Sequence, residues 1–252
     1  MHALLQTSLG QPIDRQTLEE AVMATEGLAK PDCAGLVREP FGIIAADLSQ
    51  DDALALQAAL RSRNIETEVI DASALPVLPQ PRYVRALKLT DSGIGLVDFY
   101  DRETSYEWPH IVFAAAGGLL HQRSVQDQKM EAVRVSGGHA KDPGSLSTIV
   151  TGHHFESFPE FRLELFLPTK SPRVQWVLTE DSVITVNGAH LRLRDGDQLT
   201  ALLARLGNTL APEQTNLGIK AAITGQQFSY PSLHAFEEEI IWSFYQLTRK
   251  SL

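Results

Sequence analysis

Histidines and a glutamate gather in one polar stretch of the chain, residues 121–156. His153, His154 and Glu156 are close neighbours there, and His139 lies upstream. Neutral imidazoles and a carboxylate are ligands that suit zinc or iron. Adjacent residues of a strand point to opposite faces, so only one of the two neighbouring histidines would reach a shared ion. The pattern favours a polar surface loop, and the alternative is a metal site of His139, His153, His154 and Glu156.

Other residues of reactive type lack the sequence surroundings that catalysis needs. Cys33 is the only cysteine, and it falls in an apolar helical pattern typical of a packed thiol. The glycine pairs at 117–118 and 137–138 lack the Lys-Ser/Thr of a phosphate-binding loop and the third glycine of a dinucleotide-binding turn. The sequence contains no Gly-x-Ser-x-Gly element. We therefore predict no catalytic residues, and no cofactor other than the alternative metal ion.

The composition is that of an ordinary globular protein. The chain has 252 residues, of which 43% are hydrophobic and 21% charged, and its formal net charge is -9. General binding of nucleic acid is not expected, because phosphate neutralisation needs an excess of Lys and Arg. The longest apolar run, residues 111–120, is too short to span a bilayer. The N-terminus lacks the basic start and long apolar segment of a signal peptide, which predicts a cytoplasmic location.

Positive charge is locally concentrated in the segment PRYVRALK. Its basic residues are Arg82, Arg85 and Lys88. On a strand these three positions do not share one face. The segment is therefore interpreted as a solvated strand edge.

The first 73 residues alternate between strand and helix patterns. Asp14 and Ser49 are N-cap residues that precede apolar positions at spacings of three and four. Pro31 is tolerated in the first turn of a further short helix. The predicted order is strand, helix, helix, strand, helix, strand, at residues 2–7, 14–27, 30–38, 41–48, 49–64 and 65–71. This pattern predicts a βααβαβ sandwich as an N-terminal domain.

The N-terminal domain has a family resemblance, carried by the run ATEGLAKPDCAGLVREPFGIIAADLSQDDALALQAALRSRNIETEVID. The run is similar in spacing to the C-terminal domain of the bacterial ribosomal stalk protein and, in topology, to the Clp protease adaptor. The matching elements are the Gly27-Leu28 turn, the helix at 31–37, the strand at 41–46, the Ser-x-x-x-Ala start at 49–53 and the strand at 66–70. The resemblance implies this fold and a role in protein interaction.

The resemblance does not extend to either known partner. The stalk domain presents a lysine-rich surface to translation factors, whereas Lys30 is the only lysine before Lys88 here. The acidic and histidine residues with which the Clp adaptor holds a peptide amino terminus have no match in this sequence.

A proline-rich linker, residues 74–82, separates the first domain from a second. Pro76, Pro79 and Pro81 favour an extended, semi-rigid connection. Short strand patterns follow, and helices come last, near residues 198–210 and 232–250.

Strands followed by a closing helix predict that residues 83–252 form an antiparallel β-rich domain. Within it, residues 120–159 are predicted to be a long polar loop, and loops of that length are functional or disordered. The fold class is therefore α+β with two domains.

Residues 87–113 resemble the bacterial pleckstrin-homology-like modules. A Leu-Thr-Asp-x-Gly strand is followed by an aromatic strand and by Trp-Pro-His-Ile. Trp108, Pro109 and Ile111 take the places of the buried aromatic or proline and of the isoleucine that begins the next strand. Phosphoinositide-binding members use a basic loop after the first strand, and here that turn is Asp-Ser-Gly at 91–93. The resemblance implies a PH-like domain and does not extend to headgroup binding.

The last predicted helix carries more apolar surface than one sheet face usually covers. Ile241, Trp242 and Tyr245 widen its apolar stripe, and residues 237–239, three glutamates, are predicted to lie on a solvated face. A deeply buried helix is the favoured interpretation. The alternative is a helix that uses Ile241, Trp242 and Tyr245 to bind a protein partner or a second copy of this chain.

Two hypotheses about function follow. The favoured one is a non-catalytic cytoplasmic protein that binds another macromolecule or regulates an assembly. It depends on the resemblance to interaction domains, and fold analogy is a weak guide to function. The alternative is a metal-dependent hydrolase that uses the histidines of the 121–156 loop.

Overall fold

The structure is a computed structural model that describes residues 1–10, 13–28, 38–134, 145–167, 174–177, 183–191 and 196–250. Over residues 120–134, 145–159 and 174–177 the description is of the backbone. Helices and sheets are both present, which confirms the predicted α+β class. Among the described residues no helix combines the length and the apolar character that crossing a bilayer requires.

The described part of the N-terminal unit has three strands and two helices. They are β1 (His2–Gln6), α1 (Arg15–Met23), β2 (Ile43–Leu48), α2 (Gln50–Arg61) and β3 (Thr67–Asp71). The strand order is β2-β1-β3, with β1 antiparallel to both neighbours, and we call this the N-terminal sheet. Apart from Arg38, the short helix predicted at 30–38 lies outside the described residues.

Both helices of this unit begin at the predicted N-cap residues. Asp14 Oδ1 accepts a hydrogen bond from Thr17 N at 2.8 Å, and Ser49 Oγ accepts one from Asp52 N at 3.1 Å. Each bond satisfies an amide that the first helical turn leaves without a partner. The buried faces of α1 and α2 then pack against one face of the N-terminal sheet, in a cluster that includes Leu18, Leu56 and Ile44.

The described residues after the N-terminal unit form two five-stranded sheets and three α-helices. The strands are β4 (Arg82–Tyr83), β5 (Ala86–Leu89), β6 (Gly93–Val97), β7 (Glu103–Glu107), β8 (Phe113–Arg134), β9 (Ser145–Phe166), β10 (Val174–Val177), β11 (Val183–Val186), β12 (Ala189–Leu191) and β13 (Ser229–Tyr230). The helices are α3 (Gly196–Thr209), α4 (Leu217–Ile223) and α5 (Leu233–Lys250). The long sheet has the order β13-β8-β9-β10-β4 and the short sheet the order β12-β11-β5-β6-β7.

The prediction of an antiparallel β domain is wrong for three strand pairs. β4 runs parallel to β10, β5 parallel to β11, and β13 parallel to β8. Each pair joins strands that are distant in the sequence. A local turn fixes the pairing of a hairpin, but no local signal specifies a parallel pair of this kind.

The prediction of a long loop at residues 120–159 is also wrong. β8 and β9 are 22 residues each and pair antiparallel from Phe113 with Phe166 to Arg134 with Ser145. Residues 135–144 lie outside the described residues. Sequence patterns identify a strand when polar and apolar residues alternate, and the polar run at 126–129 hides that alternation.

The main core lies between the long and short sheets and beneath α3 and α4. Its members include Leu87 and Ile94 of the short sheet, Leu163 of the long sheet, and Leu206 and Ile219 of the helices. The opposite face of the long sheet packs against α5. Both faces of the long sheet are therefore buried where it crosses the body of the protein.

Helix α5 lies between the long sheet and the N-terminal sheet. Phe236 and Ile240 pack with Phe113 of the long sheet, and Ile241 and Trp242 pack against the second face of the N-terminal sheet. The segment after β3 takes part in these contacts, because Leu75 and Leu78 pack on the two clusters. The N-terminal sheet ends at Asp71 and the long sheet includes β4, so the two sheets are not continuous through residues 72–83. Helix α5 nevertheless joins the cores on either side, because it packs on both sheets.

Candidate functional site

The described residues of the histidine-rich stretch belong to the paired strands β8 and β9. His153, His154 and Glu156 lie on β9, where their backbones pair with residues 126, 125 and 123 of β8. His139 lies outside the described residues. In the part of the chain that the structure describes, no group of three or more His, Cys, Asp or Glu side chains is arranged to hold a metal. The metal site of these four residues stays a prediction.

The residues predicted to bind a partner face the N-terminal sheet of the same chain. Trp242 Nε1 donates a hydrogen bond to the Gln6 carbonyl oxygen at 2.7 Å. Gly42 has a φ of 94°, and a Cβ at this position would lie 2.4 Å from the Trp242 ring. Ile241 and Tyr245 pack on the same sheet. The surplus apolar surface of α5 is therefore covered, at least in part, within the chain.

Ion pairs reinforce this contact at both ends of α5. Arg38 pairs with Glu238 and Arg249 pairs with Glu68. The hydrogen bonds that Arg38 donates to the Glu238 carboxylate raise the pKa of the guanidinium, against the opposing effect of burial. Glu238 is buried, which corrects the prediction that all three glutamates at 237–239 are solvated.

An open cleft of about 590 Å³ lies between β4 and the hairpin of β6 and β7. We call it the aromatic cleft, because four of its ten lining residues are aromatic. They are Tyr83, Phe99, Tyr100 and Tyr106, and the others are Arg82, Val84, Leu96, Asp98, Arg102 and Thr104. Its volume is within the range typical of ligand-binding pockets.

One wall of the aromatic cleft is the turn between β6 and β7. Asp98 Oδ1 accepts hydrogen bonds from Tyr100 N at 2.8 Å and Arg102 N at 3.0 Å, and Asp98 Oδ2 accepts one from Arg102 Nε at 2.7 Å. Asp101 completes the turn with a φ of 61°. These bonds hold a tight turn whose first two residues after Asp98 are Phe99 and Tyr100.

The electrostatics of this turn favour an ionised Asp98. Partial burial acts to raise the pKa of Asp98, but the hydrogen bonds from Arg102 and Tyr100 and the positive charge of Arg102 outweigh it, so the pKa lies below its ordinary value. The Arg102 guanidinium also lies 5.2 Å from the centre of the Tyr100 ring, within the range of a cation-π contact. The turn is thus preorganised by its own side chains.

The aromatic side chains of the turn are exposed to a degree that is unusual for their type. Phe99 is 66% exposed and Tyr100 is 80% exposed. The floor beneath them is rigid, because Leu96 is buried and Tyr106 and Val84 pack on the main core. Exposed aromatic rings beside a fixed apolar floor are typical of binding sites.

The opposite wall carries positive charge. Arg82 and Tyr83 form β4, which lies at one edge of the long sheet, and both are exposed. Arg85 pairs with Asp101 and Lys88 pairs with Glu103, while Arg82 forms no ion pair with any described residue. Of the three basic residues at this predicted strand edge, Arg82 is the one available to an anionic ligand.

A second polar grouping, which we call the buried knot, lies inside the protein. Asn216 Nδ2 donates to Tyr230 Oη at 2.7 Å and to the Ala116 carbonyl oxygen at 2.9 Å, and Asn216 Oδ1 accepts from Ala116 N at 3.0 Å. Tyr230 Oη donates to Glu239 Oε2 at 2.5 Å, and Glu239 Oε1 accepts from Leu217 N at 2.6 Å. These bonds connect β8, α4, β13 and α5.

Burial dominates the ionisation of the buried knot. Asn216, Tyr230 and Glu239 are all 0% exposed. Burial raises the pKa of Glu239 to about 7, even though hydrogen bonds from Tyr230 and Leu217 oppose the shift. Burial, with the charge of Glu239, also raises the pKa of Tyr230 well above its ordinary value. Because the buried knot is enclosed and its polar groups have partners, we infer that its role is to stabilise the fold.

Comparison with protein families, with curated proteins and with solved structures found no match for this chain. The resemblances to the stalk domain, the Clp adaptor and the PH-like modules therefore stay predictions. Sequence reasoning missed the aromatic cleft. The signal was the pair Phe99-Tyr100 directly before Asp101 and Arg102, within the stretch that the PH-like resemblance predicts to be an aromatic strand.

Proposed function

We propose that this protein is a non-catalytic, cytoplasmic binding or regulatory protein that acts by macromolecular interaction, with the aromatic cleft as its binding surface. The observation that carries the proposal is the exposure of Phe99 and Tyr100 on a hydrogen-bonded turn. Exposed Tyr and Phe side chains that are already ordered bind partners at a small cost in conformational entropy.

The lining of the cleft supports recognition by contact. Its side chains offer ring faces, an apolar floor and two arginines, and its single carboxylate, Asp98, is held in the turn by hydrogen bonds. Tyr and Arg are enriched among the residues that contribute most to protein interfaces. This set of groups suits the binding of a protein segment.

We further propose that the N-terminal unit is an interaction module of the stalk and Clp adaptor type, and that the second half is PH-like. The order β1, α1, β2, α2, β3 supports the first proposal. The packing of α5 against a β-sheet supports the second, although the parallel strand pairs depart from the antiparallel sheet that we predicted.

The test of function is a quantitative capture experiment. Proteins retained from cell extract by the wild-type chain are identified, purified and titrated directly against it. We expect replacement of Phe99 and Tyr100 by Ala to weaken binding of a true partner by a factor of about 30 or more, as loss of two aromatic anchors would. The control is Leu54→Ala, at an exposed position of α2. Equal weakening by both variants, or none by the cleft variant, would contradict the proposal.

Elemental analysis of protein purified without an affinity tag tests the alternative hypothesis. Stoichiometric zinc, iron or manganese that is lost when His153 and His154 are both replaced by Ala would favour the metal-dependent hydrolase. We expect neither variant nor chelator to alter partner binding, because the aromatic cleft contains no histidine or cysteine.

A further inference from the structure

Strand β7 forms one edge of the short sheet and borders the aromatic cleft. It is last in the strand order, and within the described ranges only β6 pairs with it. Four of its five residues are exposed, and Tyr106 is half-buried. An edge strand of this kind presents a row of main-chain groups to which another chain can pair.

The register shows which main-chain groups face outward. Asp98 N donates to the Arg102 carbonyl oxygen at 3.0 Å, and Trp108 N donates to the Ser92 carbonyl oxygen at 3.3 Å. Hydrogen-bonded pairs alternate along an antiparallel ladder, so the even-numbered residues of β7 bond to β6. The N–H and C=O groups of Glu103, Ser105 and Glu107 therefore point away from β6, toward the open edge.

The side chains of β7 divide between two environments. Thr104 and Tyr106 point into the aromatic cleft. Successive residues of a strand alternate in direction, so a strand added beside β7 would place every second side chain next to Tyr106, within reach of Tyr83 and Tyr100. The intervening side chains would lie on the face that carries Glu107.

We propose that the aromatic cleft and β7 together bind an extended protein segment by strand addition, with an acidic side chain of that segment paired to Arg82. This inference rests on the proposed function and specifies the partner. Main-chain hydrogen bonds to β7 supply affinity, and the cleft supplies specificity. Arg82 selects an anionic side chain because it has no ion pair among the described residues, and exposed Glu107 favours Lys or Arg on the other face.

The probe is a phage-displayed library of random linear peptides selected on the full-length chain. We expect enriched peptides to carry Asp or Glu at positions that alternate with β-branched or basic residues. A synthetic peptide with the enriched sequence is then measured by isothermal titration. Replacement of the acidic residue of the peptide by its neutral amide should weaken binding to the wild-type protein about fivefold. The same replacement should not change binding to the Arg82→Gln protein, because the two changes remove the same ion pair.

The strand geometry is tested on both molecules. Ser105→Pro removes one outward N–H without touching the ladder to β6, and Ser105→Ala is the matched control that keeps it. We expect the proline variant to weaken binding about tenfold or more and the alanine variant to leave it unchanged. Peptides with single N-methyl groups on alternate residues repeat the test without altering the protein, and affinity should fall at every second position.

The outcomes separate the two proposals. Peptides whose binding depends on Phe99 and Tyr100 but tolerates both N-methylation and Ser105→Pro would overturn strand addition and leave the cleft as the binding surface. Binding that survives replacement of Phe99 and Tyr100 by Ala would overturn both. A selection that enriches no peptide would overturn the binding of an extended segment, and the capture experiment would then decide the proposed function by itself. Enriched peptides without acidic residues would overturn the role of Arg82.

Discussion

The buried knot and the aromatic cleft are built from similar side chains, but the knot stabilises the fold and the cleft is the proposed binding surface. Both combine tyrosine with a carboxylate and a nitrogen donor. In the knot, Tyr230, Asn216 and Glu239 are fully enclosed and bonded to one another. In the cleft, Tyr100 and Arg82 are exposed, and Arg82 has no ion pair among the described residues. Residue type alone does not separate a structural group from a binding group.

The difference between the two regions lies in where the hydrogen-bonding capacity is used. A buried polar group left without a partner costs about 1 to 3 kcal/mol, so the knot stabilises the fold only because its members satisfy one another. An exposed group is satisfied by water and retains the capacity to bind something else. Changes in the knot should therefore alter stability, and changes in the cleft should alter binding.

The largest effect on stability is expected from Asn216→Ala. The change removes the N-cap of α4, leaves Ala116 N and O without their side-chain partner, and takes from Tyr230 Oη the hydrogen bond that it accepts. We expect the free energy of unfolding to fall by about 4 kcal/mol, measured by urea denaturation. Asn208→Ala, at an exposed position of α3, is the control and should change it by less than about 0.5 kcal/mol. A loss below about 1 kcal/mol for Asn216→Ala would break the comparison.

The next effect concerns the pH dependence of stability. The carboxyl group of Glu239 has a pKa of about 7 in the folded protein and an ordinary value of 4.5. Between these values the folded state binds more protons than the unfolded state, so stability falls as pH rises from about 4.5 to 7. The expected loss across this window is roughly 3 kcal/mol.

Glu239→Gln isolates that contribution. The amide keeps an acceptor for Leu217 N and has no proton to lose, so we expect the decline in stability between pH 5 and 7 to become much shallower. Urea denaturation at a series of pH values measures it for both proteins. Lys220 provides a second check, because its charge lowers the pKa of Glu239. Lys220→Met, with Glu239 kept, should make stability fall more steeply as pH rises. An unchanged pH profile in Glu239→Gln would show that the carboxyl group is ionised in the knot.

The third prediction is that the contact between α5 and the N-terminal sheet stabilises the fold. Trp242→Ala removes the hydrogen bond to Gln6 and the ring that packs on Gly42. We expect a loss of about 2 kcal/mol, and a loss of about 1 kcal/mol for Trp242→Phe, which keeps most of the ring contact. If Trp242→Ala left stability unchanged and weakened partner binding, α5 would belong with the cleft as a binding surface.

Local features of the sequence predicted local features of the fold. Asp14 and Ser49 begin their helices as expected, because an N-cap bond joins residues three apart. The other five predicted elements of the N-terminal unit are also present in the predicted order, and the helix predicted at 30–38 stays a prediction. The parallel strand pairs and the position of α5 between two sheets depend on contacts between distant segments, such as the 2.7 Å hydrogen bond from Trp242 to Gln6. No local sequence pattern specifies such contacts.

The candidate sites were harder to predict for the same reason. Glu239 follows two other glutamates in the sequence, which is the pattern of a solvated helix face, yet it is buried because Tyr230 and Leu217 supply its partners. Phe99 and Tyr100 follow a buried strand, which is the pattern of a core, yet they are exposed because Asp98 turns the chain there. In both cases the deciding group lies in the folded structure.

The smallest effect on stability is expected where the effect on binding is largest. Phe99→Ala and Tyr100→Ala remove rings that are 66% and 80% exposed, so little apolar surface returns to water on mutation. Each should change the free energy of unfolding by less than about 0.5 kcal/mol, the usual range for surface positions. The Asp98 bonds that hold the turn use main-chain groups of Tyr100 and Arg102 and survive both changes. A loss above about 1.5 kcal/mol in urea denaturation would show that these rings stabilise the fold, and the cleft would then resemble the knot.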